Sequence, residues 1–335
     1  LICCAVGSIY DGVVYAEPYL PHMPFELKGY LEPLLIIDEL TLELFPLDAY
    51  GVHESKPLLI FQGCNSCIPS TLPQRNSDEV CAEILSELAE LDEIPIRRVK
   101  MHIGVPEGHY DAFRQILQCC EHEQNVAVEF VLYLEKISDE TINFVAEYEN
   151  STLVICCSDV ECQSERERIH DMVLAATNRG IRTVLSVIYL HNMPDSPHSA
   201  ITEIAASLGV QLRTTELLRS SEDHVFSVAR GQERLEVADS SAFYFRSKYS
   251  LCKYGKLSIN CNGRISGCLH DHVAPSQSRG LFEFLAKSGH QFSWEMPKQT
   301  VAVCMECENR FACVDCNIIE QALSEHPEYG KAAAD

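Results

Sequence analysis

Short apolar runs and longer amphipathic stretches alternate along the middle of the chain, from Leu58 to about Glu216. The short runs are nearly continuous in apolar residues, which is typical of strands. The longer stretches repeat their apolar residues at helical spacing, as at Ile169, Val173 and Ala176. The pattern predicts strands at residues 58–61, 99–103, 126–134, 153–157, 183–189 and 210–212, and helices at residues 79–91, 110–120, 139–148, 165–179 and 199–208.

This alternation predicts an α/β fold with a parallel sheet. Continuous apolar strands are buried on both faces, which in practice means a parallel sheet with helices outside it. About six strand–helix units joined by short turns favour a partial (β/α) barrel, and a doubly wound sheet is the alternative. In either architecture the functional groups lie at the carboxyl ends of the strands.

The chain divides into four predicted segments. Residues 1–50 mix short apolar runs with several prolines and form an N-terminal lead-in module of short elements. Residues 51–218 form the barrel, and the polar, charged residues 219–242 bridge it to a cysteine-rich domain at residues 243–335. A chain of 335 residues is long enough for one large domain and a smaller appendage.

Charge and composition exclude several classes of partner. The chain has 49 acidic and 26 basic residues, a net charge of −23, and no compensating basic stripe, so we expect no nucleic-acid partner. No apolar run approaches the length that spans a bilayer, so we expect no membrane segment. Seventeen scattered cysteines do not resemble a secreted disulfide framework and favour the reducing cytoplasm.

The cysteines near the C-terminus predict a metal site. Cys304, Cys307, Cys313 and Cys316 follow the spacing C-x2-C-x5-C-x2-C, which directs four thiolates into one small volume. Upstream, residues 254–266 predict a β-hairpin, because their Asn-Gly pair supplies the positive φ of a tight turn. Disulfides or buried apolar thiols are the alternative, although paired C-x2-C steps seldom arise from core packing.

With a cysteine at each end of this hairpin, Cys252 and Cys268, followed by the four-cysteine run, the C-terminus resembles a SPASM domain. The chain as a whole resembles radical SAM/SPASM peptide-modifying proteins, most closely the SPASM protein of "grasp-with-spasm" systems. That protein is encoded beside an ATP-grasp ligase and a small precursor peptide. The resemblance implies a radical SAM-type partial barrel and metal ligands at Cys252, Cys268, Cys304, Cys307, Cys313 and Cys316.

The chain departs from the family at the radical-forming loop. The resemblance requires C-x3-C-x2-C after the first barrel strand, but this chain offers only Cys64 and Cys67. If they are the second and third cysteines, the first position is Ile60. If Cys64 is the first, the loop is one residue short and the third position is Ser70. These two cysteines are the only candidates for a first cluster, unless Cys3, Cys4 or Cys81 completes it. The family's Gly-Gly-Glu-Pro stretch appears only as residues 103–107, Ile-Gly-Val-Pro-Glu.

The implied cofactor is a 4Fe-4S cluster in the SPASM-like domain, with zinc as the alternative, since tetrahedral sulfur sites suit either metal. Six matching cysteines are too few for two complete clusters. His270 and His272 flank Cys268 and are more often solvated than ligating at such positions, and Cys261 is interpreted as structural. We expect no SAM cofactor and assign no catalytic residue.

Three functions stay open from the sequence. The first is a peptide-maturation protein that binds a ribosomal precursor peptide, an ATP-grasp ligase, or both, without cleaving SAM. The second is an active radical SAM enzyme with an unconventional first cluster that modifies a peptide. The third is a zinc-stapled interaction protein unrelated to peptide maturation.

Overall fold

A computed structural model gives the fold. It describes residues 6–10, 13–17, 37–44, 58–60, 77–89, 95–104, 106–120, 126–157, 163–190, 198–219, 240–250, 253–259 and 265–267, together with residues 294, 297, 305 and 306. No described helix is long and apolar enough to cross a membrane.

The described strands form a small hairpin and one large sheet. The strands are β1 Val6–Tyr10, β2 Val13–Glu17, β3 Glu39–Glu43, β4 Leu58–Ile60, β5 Arg98–His102, β6 Ala127–Tyr133, β7 Ser151–Cys157, β8 Arg182–Leu190, β9 Gln211–Arg219, β10 Lys256–Ile259 and β11 Ile265–Ser266. Strands β1 and β2 pair with each other in antiparallel fashion, and the other nine form a sheet in the order β11-β10-β3-β5-β6-β7-β8-β9-β4. From β10 to β9 all neighbours are parallel, while β11 and β4 are antiparallel at the two edges.

Helices connect the parallel strands, as the alternating pattern predicts. They are α1 Ser77–Ala89, α2 Tyr110–Cys120, α3 Asp139–Val145, α4 Gln163–Asn178, α5 His198–Leu208 and α6 Ser240–Lys248, with a short 3-10 helix at Leu134–Lys136. Helix α3 begins with a capping box, in which the Ser138 side chain accepts from the Thr141 N–H and the Thr141 hydroxyl accepts from the Ser138 N–H. The five helices predicted between strands are therefore confirmed to within a few residues at each end.

One face of the sheet is apolar and is covered by helices. Leu42, Met101, Phe130 and Leu153 are neighbours in one row across β3, β5, β6 and β7, and all four are fully buried. The helices contribute Leu88, Phe113, Ile142, Ile169 and Ile201 to the same core. We call this side of the sheet the outer face.

The opposite, inner face is lined by polar residues and a separate small apolar cluster that includes no helix residue among the described ones. On this face Arg213 of β9 reaches Glu129 of β6, although β7 and β8 lie between them. In a flat sheet three strand spacings would separate the two strands by about 14 Å. By the strand register, Arg213 also lies four residues further along the strand direction than the position level with Glu129. The contact between their side chains therefore requires a sheet that curls and whose strands tilt. The sheet is thus a partial barrel, and the doubly wound alternative is wrong.

The structure corrects where the parallel sheet begins. Residues 58–61, expected to be its first strand, contribute β4, which pairs antiparallel with β9 at the far edge. The first parallel strand is instead β3, at Glu39–Glu43, which the sequence assigns to the lead-in module. Its sequence, Glu-Leu-Thr-Leu-Glu, alternates polar and apolar residues because only its outer face is in the apolar core. The predicted boundaries at residues 50, 218 and 242 stay predictions.

The last parallel strand is longer than predicted. The apolar run predicts only residues 210–212, but β9 continues to Arg219 through the polar stretch Arg-Thr-Thr-Glu. A polar residue is accommodated at position 213 because the Arg213 side chain faces the inside of the barrel, where it donates hydrogen bonds to Glu129. The predicted hairpin is confirmed as the antiparallel pair β10 and β11.

Candidate functional site

The inner face of the barrel is the candidate functional site within the described residues. Its side chains come from alternate positions of the strands, because successive residues of a strand point to opposite faces. Ionisable and hydroxyl side chains dominate the half of the sheet near β3. Across the whole sheet, the inner-face residues that carry polar or ionisable groups include Thr41, Glu43, Lys100, His102, Glu129, Tyr133, Cys156, Ser186, Arg213 and Ser258.

A buried ionic cluster lies in the amino-terminal half of this face. The Arg213 guanidinium donates two hydrogen bonds to the Glu129 carboxylate, at 2.9 and 3.0 Å. The Lys100 ammonium lies 3.4 Å from the same carboxylate. Burial alone would raise the pKa of Glu129, but the charge of Lys100 and the hydrogen bonds from Arg213 outweigh it and lower the pKa. Glu129 is therefore ionised at neutral pH and ties three strands together.

Valines line the next level toward the carboxyl ends of the strands. Val131, Val154 and Val184 are neighbours in one row across β6, β7 and β8, and all are buried. Beyond them Tyr133 and Cys156 complete a small apolar cluster. Among the described residues this level is packed, and the ionic cluster lies on its amino-terminal side.

Cys156 lies at the carboxyl end of β7 on the inner face. Burial raises the pKa of its thiol to about 12, although a hydrogen bond to Ser186 works in the opposite direction. The adjacent Cys157 points to the outer face, where burial also raises the pKa of its thiol. At neutral pH both thiols are therefore protonated and lack the thiolate form of a reactive nucleophile.

Glu43 and His102 lie at the carboxyl ends of β3 and β5, where a barrel of this kind carries its functional groups. They are neighbours in register on the inner face, and both are buried, at 0% and 1% exposure. A carboxylate beside an imidazole provides polar groups that can hold a ligand or exchange a proton with it. The sequence interpretation missed both residues, although Thr41/Glu43 and Lys100/His102 alternate with apolar residues and signal a polar inner face.

The predicted first-cluster loop stays a prediction, because its two cysteines are not among the residues that the structure describes. Cys64 and Cys67 lie outside the described residues, and the strand before them, β4, runs against the parallel strands. The first parallel strand along the chain is β3, and the sequence that follows it has no cysteine between Leu44 and Gly63. The described part of the chain therefore offers no cysteine at the carboxyl end of β3.

Two further sequence predictions concern residues 103–107 and Cys81. The stretch Ile-Gly-Val-Pro-Glu does follow β5, but Glu107 is exposed in the turn before α2. Cys81, suggested as a replacement ligand, is buried in the outer-face core with Ile84 and Leu88. Among the described residues no group of three or more His, Cys, Asp or Glu side chains is arranged to hold a metal.

The six cysteines predicted as metal ligands, Cys252, Cys268, Cys304, Cys307, Cys313 and Cys316, lie outside the described residues, as do Cys261, His270 and His272.

The local backbone around these cysteines is described at two points. Cys252 immediately precedes the turn at residues 253–255 that leads into β10. Met305 and Glu306, the two residues between Cys304 and Cys307, form an exposed turn, with Met305 56% exposed. The donor set of six thiols and this turn fit a sulfur-ligated metal or cluster.

Comparisons with known proteins give the fold of the chain. No protein-family model matches it, and no curated protein matches it either. Its structure is similar to that of Streptococcus suis SuiB bound to S-adenosylmethionine, with a TM-score of 0.51 and 14% identity over 91% of this chain and 78% of SuiB. Weaker matches are SuiB bound to the precursor peptide SuiA, at TM-score 0.45, 12% identity, 88% of this chain and 72% of that one, and anSMEcpe with bound AdoMet, at TM-score 0.48, 10% identity, 88% and 96%.

The likeness to SuiB covers most of both chains and agrees with the mostly parallel, curled sheet. The mostly parallel α/β partial barrel predicted from the strand–helix repeats is therefore confirmed as the fold. At 14% identity the likeness concerns the fold alone.

Proposed function

We propose that this chain is a maturation protein for a ribosomal precursor peptide, with an iron–sulfur cluster in a SPASM-like C-terminal domain. It binds the precursor peptide, a partner ATP-grasp ligase, or both, and it does not itself cleave S-adenosylmethionine. SuiB, whose fold it shares, has been crystallised with S-adenosylmethionine and with a precursor peptide, which supports the peptide as ligand.

The observation that carries the proposal is the missing cysteine set after the first parallel strand. Cleavage of S-adenosylmethionine by radical SAM enzymes needs three thiolates at that position, which leave one iron of the cluster open to S-adenosylmethionine. In this chain β3 is followed by no cysteine before Cys64, and Cys64 and Cys67 come after an antiparallel edge strand. Two thiolates do not complete the ligand set.

The inner face supports a binding role. Among the described residues its amino-terminal half holds the Lys100–Glu129–Arg213 cluster and the valine row, so we place the peptide at the carboxyl ends of the strands. Glu43 and His102 supply polar groups there, and a peptide has amides and side chains that such groups recognise. When bound, the iron–sulfur cluster of the C-terminal domain supplies a rigid link among the cysteines that ligate it.

The metal content tests the proposal directly. We expect about four irons and matching acid-labile sulfide per chain purified without oxygen, because one complete cluster has that composition. Alanine substitution of Cys304 and Cys307 is expected to remove the iron, whereas substitution of Cys64 and Cys67 leaves it. Zinc without sulfide would contradict the cluster and favour the zinc-stapled interaction protein.

Peptide binding needs a separate test. The full chain, loaded with iron and sulfide, is titrated with the precursor peptide and with the ATP-grasp ligase encoded nearest to it. Saturable binding of either partner that weakens on Glu43→Gln or His102→Asn substitution supports the proposal. Absence of binding to both partners would overturn it.

An active radical SAM enzyme is the second candidate, favoured by the likeness to SuiB bound to S-adenosylmethionine. The deciding assay is 5′-deoxyadenosine formation under reducing, anaerobic conditions. Product above the level of a Cys64→Ala/Cys67→Ala variant would establish this candidate and overturn the non-cleaving role.

A further inference from the structure

Glu39, at the amino-terminal end of β3, is shared by two cations. Its carboxylate accepts a hydrogen bond from the Arg98 guanidinium at 3.2 Å and lies 3.9 Å from the Lys256 ammonium. Like the buried cluster around Glu129, this group has two cations and one carboxylate, hence a net charge of +1. The Glu39 side chain is 12% exposed, whereas that of Arg98 is 55% exposed. The excess positive charge therefore faces solvent.

A further cation, Arg182, lies at the same end of the barrel. It begins β8 and belongs to the register row that runs through Lys100, Glu129 and Thr152, so it lies on the inner face. Its guanidinium donates to the side-chain carbonyl of Gln211 at 3.2 Å, and this partner is neutral. Arg182 is exposed and adds a full positive charge to the amino-terminal opening of the barrel.

The other carboxylates described before the strands at this end do not cancel the excess. Asp38 and Glu147 form ion pairs with Arg97 and Arg114, and Glu149 is exposed two residues before β7. The described residues thus give the opening a net positive charge, in a chain whose net charge is −23. No single run of sequence shows this, because the inner-face cations come from four separate strands, β5, β8, β9 and β10.

The spacing of these cations suits an extended chain. Strands β10 and β5 are two strand spacings apart, about 10 Å, and β5 and β8 are three spacings apart, about 14 Å in a flat sheet. An extended peptide advances about 3.3 Å per residue, so carboxylates three or four residues apart match these separations. A nucleic acid would continue past the opening onto the acidic remainder of the protein, which repels phosphates. A short acidic peptide segment is therefore the ligand that the charges favour.

We propose that the amino-terminal opening of the barrel docks an acidic segment of a partner polypeptide, whose carboxylates bind Arg98, Lys256 and Arg182. A recess lined by one sign of charge attracts a ligand of the opposite sign and raises its local concentration. The opening lies at the opposite ends of the strands from Glu43 and His102. The inference therefore goes beyond the proposed function and does not depend on it.

The test is a binding titration of the full chain with a fluorescently labelled (Glu-Gly)5 peptide, followed by anisotropy at 50 mM salt. We expect saturable binding that weakens at 300 mM salt, because the charges involved are exposed and are screened. The identically labelled (Gln-Gly)5 peptide is expected not to bind. Absence of binding by (Glu-Gly)5 would overturn the proposal.

Variants locate the site. Arg98→Gln and Arg182→Gln are each expected to weaken binding of (Glu-Gly)5 by about twofold to fivefold, the range for exposed ion pairs. Arg98→Lys keeps the charge and is expected to bind like the wild type. Arg168→Gln is the matched control: it removes the same charge from α4, where Arg168 contacts the Glu135 carbonyl beyond the carboxyl end of β6. Equal weakening in the control would mean a general charge effect and would overturn the docking site.

Competition identifies the ligand class, at matched ionic strength. We expect unlabelled (Glu-Gly)5 to displace the labelled peptide, and inorganic phosphate or a ten-nucleotide oligothymidylate to displace it far less. Tighter binding of phosphate or of the oligonucleotide would assign the opening to that ligand and overturn the acidic peptide.

The proposed function is tested separately at the other end of the barrel. Glu43→Gln is expected to leave binding of (Glu-Gly)5 unchanged, whereas it weakens the partner binding proposed above. A protein that binds its precursor peptide but not (Glu-Gly)5 would overturn the docking site alone. A protein that binds (Glu-Gly)5 through Arg98 and Arg182, but neither proposed partner, would overturn the proposed function alone.

Discussion

Arg213 and Glu129 form a two-pronged ion pair, at 2.9 and 3.0 Å, across two intervening strands. The pair exists only because the sheet curls toward the face that carries both residues. It also occupies the amino-terminal half of the inner face, so the shape of the barrel and the position of the candidate site depend on the same contact.

Arg213→Met is expected to destabilise the protein by about 3 kcal/mol, because among the described residues it leaves the largely buried Glu129 carboxylate with Lys100 as its remaining ion-pair partner. The free energy of unfolding is measured by urea titration at pH 7. Arg114→Met is the control, since Arg114 makes the same bidentate contact with Glu147 at the surface. Solvent screens that pair, so we expect a much smaller loss. Equal losses in both variants would contradict the importance of the buried pair.

The pH dependence of stability reports on the same carboxylate. The pKa of Glu129 is lowered in the folded protein, so the carboxylate contributes its full stabilisation at pH values above its unfolded-state pKa of about 4.3. It is lost as the pH falls through the lower folded-state pKa. Glu129→Gln is therefore expected to be less stable than the wild type at pH 7, with the difference shrinking toward pH 3. A constant difference between the two urea midpoints from pH 7 to pH 3 would refute the assignment.

The repeat of strands and helices could be predicted because each helix buries one apolar stripe and most strands are rich in apolar residues. Strands β3 and β9 were missed or shortened for a common physical reason. Strand β3 alternates between a buried apolar outer face and a polar inner face, as at Leu42 and Glu43, and β9 continues after Leu212 as Arg-Thr-Thr-Glu, so neither forms a continuous apolar run. Pairing of β3 with β5 and β10 is set by long-range contacts that no local pattern encodes.

The candidate site was predicted only as far as local spacing carries chemistry. The C-x2-C steps predict metal ligands because their spacing is local, and the Asn-Gly pair predicts the hairpin that forms β10 and β11. The inner-face residues are different. Lys100 and Glu129 meet because β5 and β6 are neighbouring strands, and only the curl of the sheet brings Arg213, 84 positions from Glu129 in sequence, to the same carboxylate. Each alone is indistinguishable from a solvated surface charge.

Gly255→Ala is expected to destabilise the docking of the hairpin on β3. Two costs add: an L-residue at a φ of +71° costs about 1 kcal/mol, and the new Cβ would lie 2.6 Å from the Asp38 carboxylate. Gly180→Ala is the matched control, because Gly180 has a similar φ of +76° with no atom within 4 Å of its Cβ position. We expect the Gly255 variant to lower the unfolding midpoint further than the control, and Asp38→Ala to restore part of the difference. Equal midpoints would show that the close approach to Asp38 is unimportant.

Cys156 and Cys157 are expected to resist alkylation in the native protein. Both are buried, and burial raises the pKa of Cys156 to about 12 and that of Cys157 as well, so almost no thiolate forms at pH 8. Iodoacetamide treatment followed by peptide mass spectrometry is expected to leave both unmodified until urea unfolds the sheet. Cys119, half-buried on α2, provides the internal comparison and is expected to react first. Rapid native labelling of Cys156 would mean that the inner face opens to solvent.

Cys81→Ala is expected to leave the iron content of the protein unchanged. Cys81 is buried on α1 among Val80, Ile84 and Leu88, in the core of the outer face, whereas any cluster served by the carboxyl ends of the strands belongs to the inner side. Its thiol is therefore separated from such a cluster by the sheet itself. Iron and acid-labile sulfide are measured in this variant and in Cys304→Ala, which is expected to lose its iron. A loss in Cys81→Ala that matches a loss in Cys64→Ala would instead join these two cysteines in one first cluster, and the non-cleaving role would then fail with it.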